Sequence, residues 1–168
     1  TLNFDPDQVI DPFGGRQDIK NRLIRCVGQA ELRFSEDALR MLRALRFAAT
    51  LGFAVEAETA EAIHRKAPYL KQIARERVLA ELQQLLCGDW SETVLRNFFD
   101  VLAIIMPELL PLTGSSQQAR DRQRRVSKTA ASVPAVFSLR LAALLLNIVR
   151  MPWQAGKSEL SIASHDVP

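Results

Sequence analysis

Arg33-Phe34-Ser35-Glu36-Asp37-Ala38-Leu39-Arg40-Met41-Leu42-Arg43-Ala44-Leu45-Arg46-Phe47 is the stretch whose reading decides the fold. It contains neither Pro nor Gly and is rich in Leu, Ala, Met and Arg, so it predicts one helix over 33–47. Ser35 is the expected N-cap, with Glu36 and Asp37 in the first turn. At about 100° per residue, Glu36, Asp37, Arg40, Arg43 and Arg46 share one half of that helix. Leu39, Leu42, Leu45 and Ala49 share the other half, extended by Met41, Ala44 and Ala48. A mainly helical chain is expected around it.

The charged ridge has two readings. Glu36 with Arg40, and Asp37 with Arg40, are i,i+4 and i,i+3 pairs that stabilise a solvated helix by a few tenths of a kcal/mol each. Three Arg without a Lys at i, i+3 and i+6, however, present planar forked donors suited to phosphate oxygens and base edges. An Asp beside an Arg supplies acceptor and donor together, which is what reading a base edge requires. The pattern points to a nucleotide site.

On either side, the chain divides into short segments. Residues 1–10 predict a strand, a D-P-D turn and the start of a second strand. Asp11-Pro12-Phe13-Gly14-Gly15 is a loop, because Pro12 fixes φ and the glycines permit positive φ. It is a tight turn or a shaper of a nucleotide pocket, and not a phosphate-cradling G-x-x-x-x-G-K loop. A short helix over 16–25, with Ile19, Leu23 and Ile24 inward, precedes the central one. Gly52 is placed as its C-cap. A helix over 56–66 ends before a turn at Pro68, and His64 on it is expected to be a surface or capping residue. A helix over 76–86 should bury Val78, Leu79, Leu82, Leu85 and Leu86, with Glu76, Arg77 and Glu81 making ionic contacts that brace the central helix. Ser91 is expected to cap a helix running to Ile105. Residues 113–128, with Arg120, Arg122, Arg124, Arg125 and Lys128, read as a polar, basic linker that could also touch RNA phosphates. A last helix spans 138–150.

The 168 residues, 48% hydrophobic and 24% charged, suit one globular domain or two small ones. The formal net charge of +3 favours an anionic partner only mildly. Cys26 and Cys87 are not spaced as a metal pair and are expected to be free thiols in a reducing cytoplasm. The longest apolar run, 141–148, is too short to cross a bilayer, so no membrane association is expected.

The central segment resembles the E-D-x-x-R motif of the class II tRNA nucleotidyltransferase (CCA-adding enzyme) and bacterial poly(A) polymerase family. Asp11 to Gly15 with Asp18 resembles its D-P-F-G-G-x-x-D turn, and Ile24-Arg25-x-Val27-Gly28 with Arg33-Phe34 its lead into the motif. Leu51-Gly52-Phe53 resembles its helix exit, and Glu76-Arg77 with Glu81-Leu82 its E-R-x-x-x-E-L segment. Order and spacing fit over residues 11–87.

The resemblance implies a mainly α fold, the helical neck and body of such an enzyme, with a short β remnant of the catalytic head. Residues 1–15 would end the head, 16–88 would form a nucleotide- and RNA-binding neck, and 89–168 a helical body. Asp37 and Arg40 would hydrogen-bond the base of CTP or ATP, Glu36 would hold Arg40, and Arg43 and Arg46 would bind the nucleotide or brace the pocket. Asp11, Gly14, Gly15, Asp18, Glu76, Arg77 and Glu81 would shape or brace it. The parent would add CMP and AMP to tRNA 3′ ends in the cytoplasm, with Mg²⁺ held by head carboxylates that this chain lacks. The chain alone is therefore expected to be inactive. Poly(A) polymerase of the same family, or a helical interaction module without catalysis, are the alternatives. Residues 138–150 resemble the R-x-A-x-L-L-H-D stretch of the His-Asp phosphohydrolases, but Leu146 and Asn147 stand where the ligands would be.

Overall fold

The computed structural model describes residues 10–149, so the expectations for residues 1–9 and for the tail beyond Val149 lie outside the described residues. Its elements are α1 (Gly15–Lys20), β1 (Leu23–Ile24), α2 (Ala30–Glu36), α3 (Leu39–Leu51), β2 (Ala54–Val55), α4 (Ala57–Lys66), α5 (Arg75–Cys87), α6 (Ser91–Asn97), α7 (Phe99–Ile105), α8 (Gln117–Ser132) and α9 (Phe137–Val149), with 3₁₀ turns at Ala67–Gln72 and Pro107–Leu112. The fold is mainly α, with one two-stranded parallel pair that matches Leu23 to Ala54 and Ile24 to Val55.

The apolar half of α3 is buried as its spacing predicts. Leu42, Leu45 and Ala49 are fully inaccessible and Leu39 nearly so, and the core runs from Ala30 to Leu144 through every later helix. Truncating one of these leucines to alanine would cost about 2–5 kcal/mol. Two glycines let the neighbours of α3 approach. Gly52 ends it at φ 68°, a conformation that excludes most side chains. A Cβ at Gly88 would collide with the carbonyl oxygen of Ala49, and the backbone of Trp90 donates to that same oxygen at 2.9 Å.

Several expectations are corrected. The single helix over 33–47 is two helices, broken at Asp37, whose backbone is extended at φ −149° and ψ 103°. Ser35 is not a cap: it sits inside α2 and its hydroxyl donates to the Glu31 carbonyl. Asp37 caps α3 instead, because its Oδ1 accepts from Leu39 N at 3.0 Å, and an Asp competes for backbone donors as well as a Ser does. The helix expected over 16–25 stops at Lys20. Leu23 and Ile24 form β1, and Ile19 is exposed. Leu79 is also exposed. Ser91 does not cap α6; it is buried at that helix's first position, and the helix expected to reach Ile105 breaks at Phe98. Residues 117–132, expected as a linker, form the sixteen-residue helix α8, capped by Ser116 Oγ on Ala119 N at 3.1 Å. Val126, Ser127 and Ala130 on its inner face are buried. No helix among the described residues is long and apolar enough to cross a membrane.

Candidate functional site

The break at Asp37 separates the two carboxylates that a continuous helix would have placed side by side. Glu36, at the end of α2, accepts from Arg33 Nη1 and from Arg40 Nη1, each at 2.6 Å. The Arg40 hydrogen bond is the main reason its carboxyl is held below the ordinary range. Arg40 Nη1 also donates to the Arg33 carbonyl at 2.9 Å. One nitrogen of the guanidinium is thus committed, and the rest of the fork has no partner among the described residues.

Asp37 is held from two sides. Oδ1 caps α3, and Oδ2 accepts from Arg77 Nη2 of α5 at 3.2 Å. Arg46, one face further along, has turned to α5: its Nε is 2.7 Å from Glu81 Oε2, and its Nη1 donates to Gln84 Oε1 at 2.7 Å. The Nε contact is a charge contact rather than an aligned hydrogen bond, since neither atom has a hydrogen-bond partner. The Arg46 guanidinium lies 4.1 Å from the Phe47 ring centroid. Arg43 is exposed, with no ion-pair partner among the described residues, and the same holds for Glu76.

Arg40 and Arg43 line an open cleft of about 290 Å³ between α2, α3 and β1, floored by Phe34, Phe47 and Ile24. Arg25 is on its rim, fixed by a bidentate contact to Asp18 at 2.7 and 3.2 Å, which also raises the guanidinium pKa. Asp11 holds the turn before it. Its two oxygens accept from Arg16 N (2.8 Å) and Gly15 N (2.7 Å), and these bonds keep its carboxyl below the ordinary value. Gly14 takes φ 74° to make the turn, and Gly15 begins α1. The D-P-F-G-G-x-x-D segment therefore reaches the cleft through Asp18 and Arg25, not by touching it.

Arg25, Cys26 and Thr59 also line the cleft, and the sequence assigned none of them to a site: Arg25 stood only in the lead segment and Cys26 only as a free thiol. The Thr59 hydroxyl accepts from Cys26 N at 3.1 Å, and burial pushes the Cys26 thiol up. Their signal is nonlocal, because the β1–β2 pairing brings residues 26 and 59 together. Both cysteines are free thiols. Among the described residues no group of three or more His, Cys, Asp or Glu could hold a metal ion, so the implied Mg²⁺ finds no ligand set here.

Residues 52–112 match a family model described as the probable RNA and SrmB-binding site of polymerase A. A CCA-adding enzyme of Geobacillus stearothermophilus is 52% identical over 87 residues, which are 52% of this chain and 22% of that protein. Over this stretch the chain is similar to CCA-adding enzymes.

The chain spans about a fifth of the length of that curated relative. The same family supplies the structural neighbours. A Bacillus stearothermophilus CCA-adding enzyme solved in complex with CTP superposes with a TM-score of 0.53 at 28% identity, over 83% of this chain and 48% of that one. A tRNA nucleotidyltransferase solved with a primer tRNA and an incoming ATP analog gives 0.61 at 25% identity, over 82% and 42%.

Proposed function

We propose that the chain is the nucleotide-selecting and RNA-binding part of a cytoplasmic tRNA nucleotidyltransferase that adds CMP and AMP, from CTP and ATP, to tRNA 3′ ends. The relatives' names support CCA addition over poly(A) synthesis. The observation that carries the template role is the pinned pair: Asp37 fixed by Arg77, and Arg40 fixed by Glu36 and the Arg33 carbonyl. Arg40 lines the cleft and Asp37, at the start of α3, lies outside that lining; tied down as they are, the two present acceptor and donors at one spacing. A base with the wrong edge leaves a charged group desolvated and unpaired, which costs about 1–3 kcal/mol and more for a full charge. Arg43 adds an unpaired cation for phosphate, and Phe34 and Phe47 an apolar floor.

In this reading residues 16–88 are the neck, with Asp11, Gly14, Gly15 and Asp18 positioning Arg25, and Arg77 and Glu81 positioning Asp37 and Arg46. The exposed cations of α8 supply sequence-independent attraction to RNA phosphates. Catalytic metal ligands would come from outside the described residues, and this chain's own part is to bind and orient the base. Calorimetric titration of CTP, ATP, GTP and UTP tests the reading. CTP and ATP should bind more tightly than GTP and UTP, and Asp37→Ala and Arg40→Ala should each remove the preference. Equal binding of all four by the unaltered chain contradicts it.

A further inference from the structure

A second cavity, of about 460 Å³, lies on the opposite side of α3's end, between β2, α4 and α6, and nothing in the base-selecting site uses it. One wall is the indole of Trp90, which is 52% exposed. The ring is nevertheless fixed. It lies on Gly52, where a Cβ would come within 2.5 Å of Nε1, and its backbone is bonded to Ala49. On the same face of α6, at helical spacing, follow Thr93 and Asn97. Across from them His64 is stacked on Phe98 at 5.1 Å and bonded through Nδ1 to Asp100 at 2.7 Å.

Among the described residues the Thr93 hydroxyl, the Asn97 amide and His64 Nε2 have no hydrogen-bond partner. β2 spends the Ala54 and Glu56 amides on β1, which leaves the N–H and C=O of Val55, another lining residue, on its other edge. The cavity therefore joins a fixed aromatic plane to a few convergent donors and acceptors in an apolar shell, the make-up of a ligand pocket. Its lining contains no Arg, Lys, Asp or Glu, so it is unsuited to a triphosphate and suited to a flat, neutral heterocycle.

We infer that this cavity takes one unpaired nucleobase of a bound RNA, stacked on Trp90 and hydrogen-bonded by Asn97 and Thr93. The assignment rests on the RNA-binding reading above, because every lining residue except Ala48 falls within the matched span 52–112. It adds a base-holding subsite distinct from the one that selects the incoming nucleotide.

The test uses the 168-residue chain carrying Trp153→Phe, so that Trp90 is the sole tryptophan, titrated with a labelled ten-nucleotide single-stranded RNA. Label anisotropy reports binding and Trp90 emission reports the cavity. Saturable quenching is expected, with Asn97→Ala and Thr93→Val each weakening it about threefold to tenfold, as removal of one hydrogen bond would. Both positions are exposed, and thermal melts check that the variants fold. A blunt duplex of the same length should not produce it. Anisotropy binding without a change at Trp90, quenching undiminished in both Asn97→Ala and Thr93→Val, or quenching by free adenosine and cytidine but not by the RNA would each overturn the subsite while leaving RNA binding intact. No anisotropy binding would overturn both readings.

Discussion

Helices α3 and α8 are both rich in arginine, and they use it in opposite ways. On α3, Arg40 is tied to Glu36 and to the Arg33 carbonyl, and Arg46 to Glu81 and Gln84. On α8, Arg120, Arg122, Arg124, Arg125 and Lys128 are exposed and none is paired with a carboxylate among the described residues. Arg120 reaches only the Ser115 carbonyl and Gln117, and Asp121, the one acid of α8, bonds Gln117. These five cations and one acid give α8 a net +4, more than the +3 of the whole chain. A guanidinium held by its neighbours can discriminate between ligand edges; one that moves freely can only attract. In the proposed reading, selection and attraction are built on different helices.

The most tightly pinned arginine sharpens the contrast. Arg140 of α9 is buried, and its Nη1 donates to Leu86 O (2.7 Å), Gly88 O and Ser91 Oγ (both 2.8 Å). Two of these acceptors are at the C-terminal end of α5, where the helix dipole favours a cation. Arg140→Met should destabilise the chain by about 3 kcal/mol in urea unfolding, because it leaves buried acceptors unpaired. A destabilisation under about 1 kcal/mol would place Arg140 with the free arginines of α8.

Glu81→Ala comes next. It strands Arg46 against α5 in a half-buried setting and should cost about 1–2 kcal/mol, between the values for exposed and buried pairs. Thermal unfolding would show it.

The His64–Asp100 pair gives a smaller, pH-dependent effect. The hydrogen bond that His64 donates to Asp100 raises the His64 pKa above 6.5, so its contribution is complete below about pH 6.5 and fades as pH rises through the folded value. Asp100 itself, despite opposing desolvation, is lowered below 3.8 chiefly by His64, so its contribution disappears only in acid. The chain should be more stable at pH 5.5 than at pH 8.5 by less than about 1 kcal/mol, since both side chains are more than a third exposed. Asp100→Asn should flatten that slope.

The smallest stability effect is expected on α8. Arg124→Ala with Arg125→Ala should change stability by less than about 0.5 kcal/mol. The salt dependence of RNA binding should nevertheless become shallower, by roughly 0.7 for each RNA phosphate the variant no longer neutralises.

Legibility in the sequence followed the same division. The buried half of α3 could be read because Leu39, Leu42, Leu45 and Ala49 repeat at helical spacing, and burial follows that repeat. The break at Asp37 could not, since Ser35 and Asp37 are both good caps two residues apart, and nothing local decides between them. β1 escaped because two residues carry no period, and its pairing with β2 is nonlocal. α8 read as a linker because its composition is polar, and the few inward residues, Val126 and Ala130 among them, make a thin stripe. The D-P-F-G-G-x-x-D turn and Arg77 were recognisable as segments, but their partners, Arg25 and Asp37, are set by tertiary contacts. Arg140 stood in the sequence only as the first residue of the R-x-A-x-L-L stretch, and its burial gave no signal, because a buried arginine bonded to carbonyls has no acidic residue in sequence to betray it.

The most direct test of the pinned pair is Arg40→Lys, measured as the ratio of CTP to UTP affinity. Lysine keeps the charge and loses the planar fork. The ratio is expected to fall to near one while each affinity stays within about threefold, because attraction survives and edge reading does not. A ratio unchanged from that of the unaltered chain would mean that Arg40 supplies charge alone, and that the base is selected elsewhere.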